Sequence, residues 1–171
     1  MMADLKNRFQ KEESEHTSNQ FELDRLQYVN SIYEMAIRSA GIGIFYYDVE
    51  QFGINHFEAN DTYANLLGFK PNAKGLYLLS DFQASLMETE EGLANQISIR
   101  QSLTNLLHGE VDGTDNELLK MRNLKSGQIK YFISSSRIDE RYEDGRPRRF
   151  GGSIFDITDR VNREKNQMTF A

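Results

Sequence analysis

The sequence predicts an α+β fold, with a five-stranded antiparallel sheet, helices packed on one of its faces, and a flanking helix at each end of the chain. Two strand signals, 42–48 and 53–59, precede a helical stretch, and three more, 116–123, 128–137 and 148–157, follow it. The first segment is rich in β-forming residues, and Gly-containing turns separate the last three. Because the strands do not alternate singly with helices, a parallel α/β sheet is disfavoured.

The helices predicted between these strands begin at residues that suit the N-cap position. Asn60 can cap a short helix that ends at Gly68. Thr89 can cap a longer helix over 90–108, whose apolar side includes several leucines. Residues 75–88 are predicted as loops or single helical turns, since Pro and Asn interrupt the pattern just before them.

The N-terminal part of the chain predicts a helix that can pair with a second copy. Within 22–38, five residues step by three and four, which is the a/d spacing of a coiled-coil seam: Leu23, Leu26, Asn30, Tyr33 and Ile37. An asparagine at an a-like position would fix the register of such a pair. A helix lying on the surface of its own domain is the alternative, because two heptads are too few to decide.

The composition of the 171 residues excludes several classes of function. Cysteine is absent, which excludes disulfides, thiol nucleophiles and cysteine-held metals. The net charge of −6 argues against a nucleic-acid partner. The sequence contains no run of 18 apolar residues, so it predicts no membrane span. Residues 1–16 lack the apolar segment of a signal peptide, so we expect a cytoplasmic protein.

Three stretches of the sequence together carry a family resemblance: FEANDTYANLLGF (57–69), KSGQIKYF (125–132) and DGRPRRFGGSIFDITDR (144–160). In this order and at this spacing they resemble a PAS domain, the sensory box of bacterial signalling proteins. The resemblance covers residues 31–160 and implies an input domain at the N-terminal side of a signalling protein. The domain organisation predicted from it is an N-terminal helical extension (1–38), a PAS domain (39–157) and a C-terminal linker helix (158–171).

Asp156 and Thr158 lie where the last predicted strand gives way to a helix. The Thr158 hydroxyl can cap that helix, which is worth about 1 kcal/mol. Asp156 can hold the junction by a hydrogen bond or by an ion pair with Arg160. The resemblance implies that this junction relays a signal from the sheet to an effector, and a plain N-cap without a signalling role is the alternative.

The resemblance also implies a small-molecule pocket between the sheet and the helices. Side-chain alternation and the family's hairpin predict a mostly apolar lining with a few hydroxyls. The predicted lining is Phe45, Tyr47, Tyr63, Leu67, Phe82, Ile97, Met121, Phe132, Ser134, Ser136 and Ile154. An ordinary packed core is the alternative.

Flavin, haem and metal ions are all disfavoured as occupants. The light-oxygen-voltage and photoactive-yellow branches need a cysteine, and the chain has neither that residue nor a tryptophan. The one histidine on the long predicted helix, His108, lies at its end, where it suits the helix dipole better than a haem iron. His56 and Glu58 share a strand face without a third ligand, and the acids of 112–117 are interpreted as a solvated loop.

The chain stops within a predicted helix at Ala171, which predicts that an effector domain follows. PAS-containing regulators often continue into a diguanylate cyclase (GGDEF) or a histidine kinase, and the short linker slightly favours the cyclase. The chain itself carries no catalytic constellation, so we expect it not to be an enzyme. A homodimer is expected, and a ligand-free dimerisation module that pairs with another PAS domain is the alternative function.

Overall fold

The computed structural model describes residues 1–88 and 98–170 of the chain. The chain divides into two compact units, Met1–Ala40 and Gly41–Ala171. The first unit is a single helix, α1 (Met2–Ser39), none of whose residues is buried. The sequence predicted an N-terminal helical extension over 1–38, with the most regular spacing at 22–38. No Gly or Pro interrupts the helix from its first residue to its last.

The second unit is built on one antiparallel sheet of seven strands. Their order across the sheet is β3-β2-β1-β7-β6-β5-β4, so the first and last long strands meet at its centre. The strands are β1 (Gly43–Asp48), β2 (His56–Ala59), β3 (Tyr77–Leu78), β4 (Leu86–Met87), β5 (Gly113–Arg122), β6 (Ile129–Arg141) and β7 (Pro147–Asp156). The predicted α+β class and antiparallel sheet are confirmed.

The predicted strand count of five is wrong. The five predicted strands are all present. One further strand of two residues lies at each edge of the sheet, β3 beside β2 and β4 beside β5. Both lie within 75–88, which the sequence assigned to loops or single helical turns. A two-residue strand is too short to produce an alternating pattern, so nothing in the sequence distinguishes it from a turn.

The described residues of the second unit form the helices α2 (Val49–Phe52), α3 (Asp61–Leu67), α4 (Leu79–Ser85), α5 (Ile99–Leu107) and α6 (Thr158–Phe170). The predicted cap of α3 is confirmed, since Asn60 Oδ1 accepts a hydrogen bond from the Tyr63 amide at 3.0 Å. The same oxygen accepts from the Ile44 amide at 2.9 Å and fixes the helix to β1. Gly68 ends α3 in the left-handed conformation, as predicted.

Of the helix predicted over 90–108, the structure describes α5 and its cap. Thr89 and the residues up to 97 lie outside the described part of the chain. Ser98 has extended backbone angles, and its hydroxyl accepts a hydrogen bond from the Gln101 amide at 3.1 Å. Ser98 is therefore the N-cap of α5, whereas the sequence placed it inside a helix. Among residues 1–88 and 98–170, no helix combines the length and apolar character that a membrane crossing requires.

The core lies between the inner face of the sheet and the helices α3, α4 and α5. Stacked aromatic rings occupy its centre, where Tyr47 lies 4.4 Å from Phe150 and 5.0 Å from Phe57 between ring centroids. Strand alternation puts Phe132 on this inner face and its neighbour Tyr131 on the opposite one. This division of β6 between two faces positions both candidate sites described below.

Candidate functional site

A cavity of about 50 Å³ lies between the inner face of the sheet and the helices α4 and α5. Most of its wall is aliphatic or aromatic, with Leu103, Leu106 and Leu107 contributed by the apolar side of α5. The other described residues of the apolar wall are Phe45, Tyr47, Tyr63, Leu79, Phe82, Leu86, Ile99, Leu119 and Phe150. Ligand pockets for cofactor-sized molecules commonly hold about 300 Å³ or more, so this cavity suits a molecule of only a few heavy atoms.

The structure brings six of the predicted pocket residues to this cavity: Phe45, Tyr47, Tyr63, Phe82, Ser134 and Ser136. Four others, Leu67, Met121, Phe132 and Ile154, are completely buried in the packed core and do not line the cavity. The alternation rule gave Phe132 and Ile154 the correct face of the sheet, but it does not tell which inward positions border free space. Ile97 lies outside the described residues.

Five polar side chains form one continuous part of the cavity wall: Ser102, Thr114, Glu117, Ser134 and Ser136. We call this group the polar wall. Glu117 faces Ser134 across β5 and β6, and Thr114 faces Ser136 one step further along. The two hydroxyls of the second pair lie 2.7 Å apart and are hydrogen-bonded. From the α5 side, the hydroxyl of Ser102 donates to Glu117 Oε2.

A β-bulge in β5 places both Thr114 and Glu117 on the inner face. Asp115 and Asn116 together oppose the single residue Ser135 of β6, so the strand carries one extra residue here. Asn116 has a φ of 46°, a conformation that asparagine adopts more readily than most side chains, and its amide bonds to the Ser135 hydroxyl at 3.1 Å. In a regular strand, residues three apart would point to opposite faces.

Glu117 is the residue that the sequence interpretation missed. It was assigned to a solvated loop together with Asp112 and Asp115, but β5 begins at Gly113 and Glu117 lines the cavity. Burial raises the pKa of Glu117, and the hydrogen bond from Ser102 lowers it to a smaller extent. Among the described residues, no lysine or arginine pairs with this carboxylate. The apolar run that follows it was visible in the sequence, but the bulge was not.

The tyrosines of the cavity wall stay neutral. Burial raises the pKa of Tyr47 and of Tyr63 well above the ordinary value for a phenol. Glu117 is therefore the only described residue of the wall that can carry a charge near neutral pH.

The second candidate site is the junction between β7 and α6. Asp156 Oδ1 accepts hydrogen bonds from the Thr158 amide at 2.9 Å and from the Thr158 hydroxyl at 2.5 Å. The Thr158 hydroxyl oxygen in turn accepts from the Tyr131 amide at 3.0 Å, and the Ile157 amide donates to the Tyr131 carbonyl at 2.9 Å. These contacts attach the start of α6 to the backbone of β6.

Two details of the predicted junction need correction. Thr158 does not cap α6 through its hydroxyl, because that group bonds to β6, and the first helical bond runs from the Val161 amide to the Ile157 carbonyl. Arg160 does not pair with Asp156. Its guanidinium pairs with Glu164 one turn later on the exposed side of α6, and the cation beside Asp156 is Lys130 at 3.6 Å.

Further contacts hold the body of α6. Val161 is buried, and the Lys165 ammonium donates to the Tyr131 hydroxyl at 2.6 Å while lying 4.7 Å from the centre of that ring. Because Tyr131 points away from the inner face, α6 contacts β6 from the side opposite to the cavity.

The five residues of the predicted dimer seam lie on α1. Leu23, Leu26 and Tyr33 are exposed large hydrophobic residues, and Asn30 is exposed as well. Ile37 is partly buried. Their pairing with a second copy stays a prediction.

No protein-family model and no curated protein matches the chain. Among solved structures, a sensory box histidine kinase/response regulator from Burkholderia thailandensis E264 is similar at 17% identity and a TM-score of 0.55, covering 80% of this chain and 92% of that one. An RNA-binding light-oxygen-voltage receptor is similar at 20% identity and a TM-score of 0.53. That match covers 85% of this chain but only 38% of the receptor chain. Likeness at these identities concerns the fold, and the chain has the PAS fold that its three motifs predicted.

Proposed function

We propose that this chain is a cytoplasmic PAS-type sensor domain that binds a small molecule in its cavity and relays the binding through α6 to an effector. The observation that carries the proposal is that one strand, β6, contributes to both sites. Ser134 and Ser136 of β6 line the cavity, and Tyr131 of the same strand holds α6. Tyr131 and Ser134 are three residues apart, or about 10 Å along a strand.

A displacement of β6 would therefore act on the cavity wall and on the start of α6 together. The register supports such coupling, because Phe132 pairs with Asp156 and Ser134 pairs with Ile154 across β6 and β7. A ligand shifts such an equilibrium only if it binds the two arrangements of the sheet with different affinity. Contacts to Ser134 and Ser136 would give a ligand that difference, since these side chains move with the strand.

The proposal includes a homodimer formed through α1. A helix of 38 residues that buries none of its own side chains gains no packing energy within its unit. Pairing of the seam Leu23–Leu26–Asn30–Tyr33–Ile37 with a second copy would bury those apolar side chains, and Asn30 would set the register. If the cavity proves empty, dimerisation alone is the second candidate function.

Two kinds of effector domain are candidates for the segment that follows α6. One of the similar structures is a histidine kinase/response regulator, which favours a histidine kinase as the domain after α6. A diguanylate cyclase, which the sequence slightly favoured, is the other candidate. The chain itself is proposed to have no catalytic activity and no nucleic-acid partner, the latter because of its net charge of −6.

Native mass spectrometry of the purified chain tests the ligand and the dimer in one measurement. We expect a dimer that carries additional mass, and we expect the additional mass to disappear when the protein is denatured. Ser134→Val puts a larger apolar side chain into the cavity, so it should lower the occupancy while the dimer remains. Ser153→Val is the matched control, because Ser153 lies on the outer face of β7, beside the inward-facing Ile154.

Equal occupancy in the Ser134→Val and Ser153→Val proteins would place the molecule outside this cavity. A dimer without additional mass, together with no response of α6 amide exchange to any added small molecule, would contradict the sensor and leave the dimerisation module. A monomer at micromolar concentration would contradict the seam.

A further inference from the structure

The cavity has two chemically different parts of its wall. One is formed by the rings of β1 and the leucines of α5, and the other is the polar wall. The residues of the polar wall are contiguous: Ser102 bonds to Glu117, Glu117 faces Ser134 across the strands, and Thr114 bonds to Ser136. Directly paired residues on one face have Cβ atoms about 5 Å apart. A molecule that fills this cavity must therefore present an apolar part and a polar part.

Glu117 determines which polar part fits. It is the only described residue of the cavity wall with a formal charge, and no described lysine or arginine balances it. A carboxylate removed from water without a counter-charge is costly. Within 1–88 and 98–170 its donor is the Ser102 hydroxyl, which contacts a single oxygen. The second carboxylate oxygen and the neighbouring hydroxyls of Ser134 and Ser136 can all accept hydrogen bonds from a ligand.

The placement of Glu117 on the inner face depends on an irregularity in the backbone of β5. The extra residue in β5 and the positive φ of Asn116 together bring Thr114 and Glu117 to the same face. Bulges next to ligand sites commonly redirect a side chain, and an unusual backbone conformation points to a function for the residues it orients. Burial raises the pKa of Glu117, which is the cost of keeping an uncompensated acid there.

We infer that the cavity is a binding site for a small organic amine, with an apolar body of about two carbon atoms and a primary ammonium group that pairs with Glu117. This inference rests on the proposed ligand-sensing function and specifies its ligand class. An ammonium group has three donors, which match the second Glu117 oxygen and the hydroxyls of Ser134 and Ser136. It also supplies the positive charge that the described residues of the wall lack, in a charge-assisted hydrogen bond. The volume of about 50 Å³ sets this limit on the apolar body, because a cavity that holds a benzene ring measures about 150 Å³.

Three molecules of similar size test the charge preference: ethylamine, ethanol and acetate. Each is titrated into the full chain, and the NMR shifts of the cavity-lining residues are followed at neutral pH, where the amine is positively charged. We expect ethylamine to bind roughly tenfold or more tightly than ethanol, because a hydrogen bond to a charged group is worth more than a neutral one. Acetate should bind more weakly than either, since it places a second carboxylate beside Glu117.

Two variants separate the role of Glu117 from that of the general charge of the protein. Glu117→Gln keeps the shape and an acceptor for Ser102, and it should weaken ethylamine binding about tenfold while changing ethanol binding less than about threefold. Asp115→Asn removes the same charge from an exposed position two residues away on β5. It should change the affinity for ethylamine less than about twofold, because exposed charges are screened.

The outcomes distinguish this inference from the proposed function on which it rests. If ethanol or acetate shifts the lining residues as strongly as ethylamine does, the cavity binds ligands but the amine preference is wrong. Equal weakening of ethylamine binding in the Glu117→Gln and Asp115→Asn proteins would also contradict a contact with Glu117. If none of the three molecules shifts the lining residues of the wild-type chain, both the amine class and the cavity as a ligand site are contradicted. The comparison among the three molecules uses the wild-type chain, so it does not depend on how the variants fold.

Discussion

The helices at the two ends of the chain are stabilised in opposite ways. The N-terminal helix α1 is 38 residues long and buries none of its side chains. The C-terminal helix α6 is 13 residues long, yet it is attached to β6 through Thr158, Val161 and Lys165. The apolar side chains of α1 are therefore exposed and can contact a partner, whereas α6 is hydrogen-bonded to the sheet.

The two helices suit two different tasks of the proposed sensor, association and transmission. Association with a second copy requires exposed apolar side chains, and α1 has Leu23, Leu26 and Tyr33 in that state. Transmission requires a helix whose position depends on the sheet, and α6 depends on it through hydrogen bonds to the backbone of β6. We expect changes in α1 to act on association, and changes at the junction to act on the stability of α6.

The largest effect is expected from the double substitution Leu26→Glu and Tyr33→Glu in α1. It would place four carboxylates in the seam of a dimer and remove side chains that are each worth about 2 kcal/mol when buried. The dimer should weaken by roughly a hundredfold or more, as measured by analytical ultracentrifugation. Tyr28→Glu is the control, because Tyr28 is exposed but lies off the seam. A dimer that survives the double substitution would move the interface to the sheet.

The next effect concerns α6. Asp156→Ala together with Thr158→Ala removes the hydrogen bond between Thr158 and Tyr131 and the bonds from Thr158 to Asp156, each worth about 1 kcal/mol, while the backbone bond from Ile157 to Tyr131 remains. Amide exchange in α6 should accelerate about tenfold to a hundredfold, while exchange in α5 stays unchanged. Hydrogen exchange read by mass spectrometry measures both helices in the same sample. Unchanged protection of α6 would mean that Val161 and Lys165 suffice and that the junction is a plain helix start.

A smaller effect is expected from Glu117→Gln, and it depends on pH. Because burial raises the pKa of Glu117 in the folded chain, the folded state binds the proton more tightly than the unfolded state does. The stability contributed by the protonated acid is present below the unfolded pKa of about 4.3, and it is lost as the pH rises through the higher folded value. The variant lacks this loss, so its stability relative to wild type should increase from about pH 4 to neutral pH.

Urea unfolding followed by the near-ultraviolet signal of the buried tyrosines reports on the sheet unit and measures this difference. Glu117→Gln changes a residue of the cavity and no residue of α1 or α6. It should therefore leave dimerisation through α1 unchanged. A stability difference that is independent of pH would mean that Glu117 titrates in the folded chain as it does in the unfolded one.

The smallest effect is expected from Arg160→Ala. Its ion pair with Glu164 is exposed and lies within α6, and such pairs contribute about 0.5 kcal/mol or less. Amide exchange in α6 should change less than about threefold. The substitution is also a control for the junction, since it lies two residues after Thr158 without contacting β6. If Arg160→Ala accelerated amide exchange in α6 as much as the Asp156→Ala and Thr158→Ala double substitution does, Arg160 would be part of the relay after all.

Local patterns in the sequence were sufficient for the long elements of the sheet unit. The five long strands, the Asn60 cap and the Gly68 stop could be predicted because each has a local chemical reason. The edge strands β3 and β4 could not, since their pairing depends on β2 and β5 and not on their own two residues. The start of α5 at Ser98 was missed because the preceding residues carry equally good helix formers.

The candidate site was predictable only in its general position. Alternation placed Ser134 and Ser136 on the inner face, and both line the cavity. It could not tell Phe132 and Ile154, which fill the core, from residues that border free space, because that depends on how closely the helices approach the sheet. The partner of Thr158 was missed because a hydrogen bond to the distant strand β6 has no signature in the sequence around Thr158. The pair of Arg160 with Glu164 has the i,i+4 spacing of a helix and could have been predicted from the sequence.

The extra residue in β5 also affects how this chain should be aligned with others. Upstream of Asn116 the inward positions of β5 have even numbers, and downstream they have odd numbers. An ungapped alignment with a relative whose strand is regular would match Thr114 or Glu117 to an outward-facing residue, even if every other column were correct. An acid at the position of Glu117 would then appear variable among relatives when it is merely shifted by one column. Comparisons of this segment therefore need a one-residue gap at Asn116 before any conservation is assigned to the cavity.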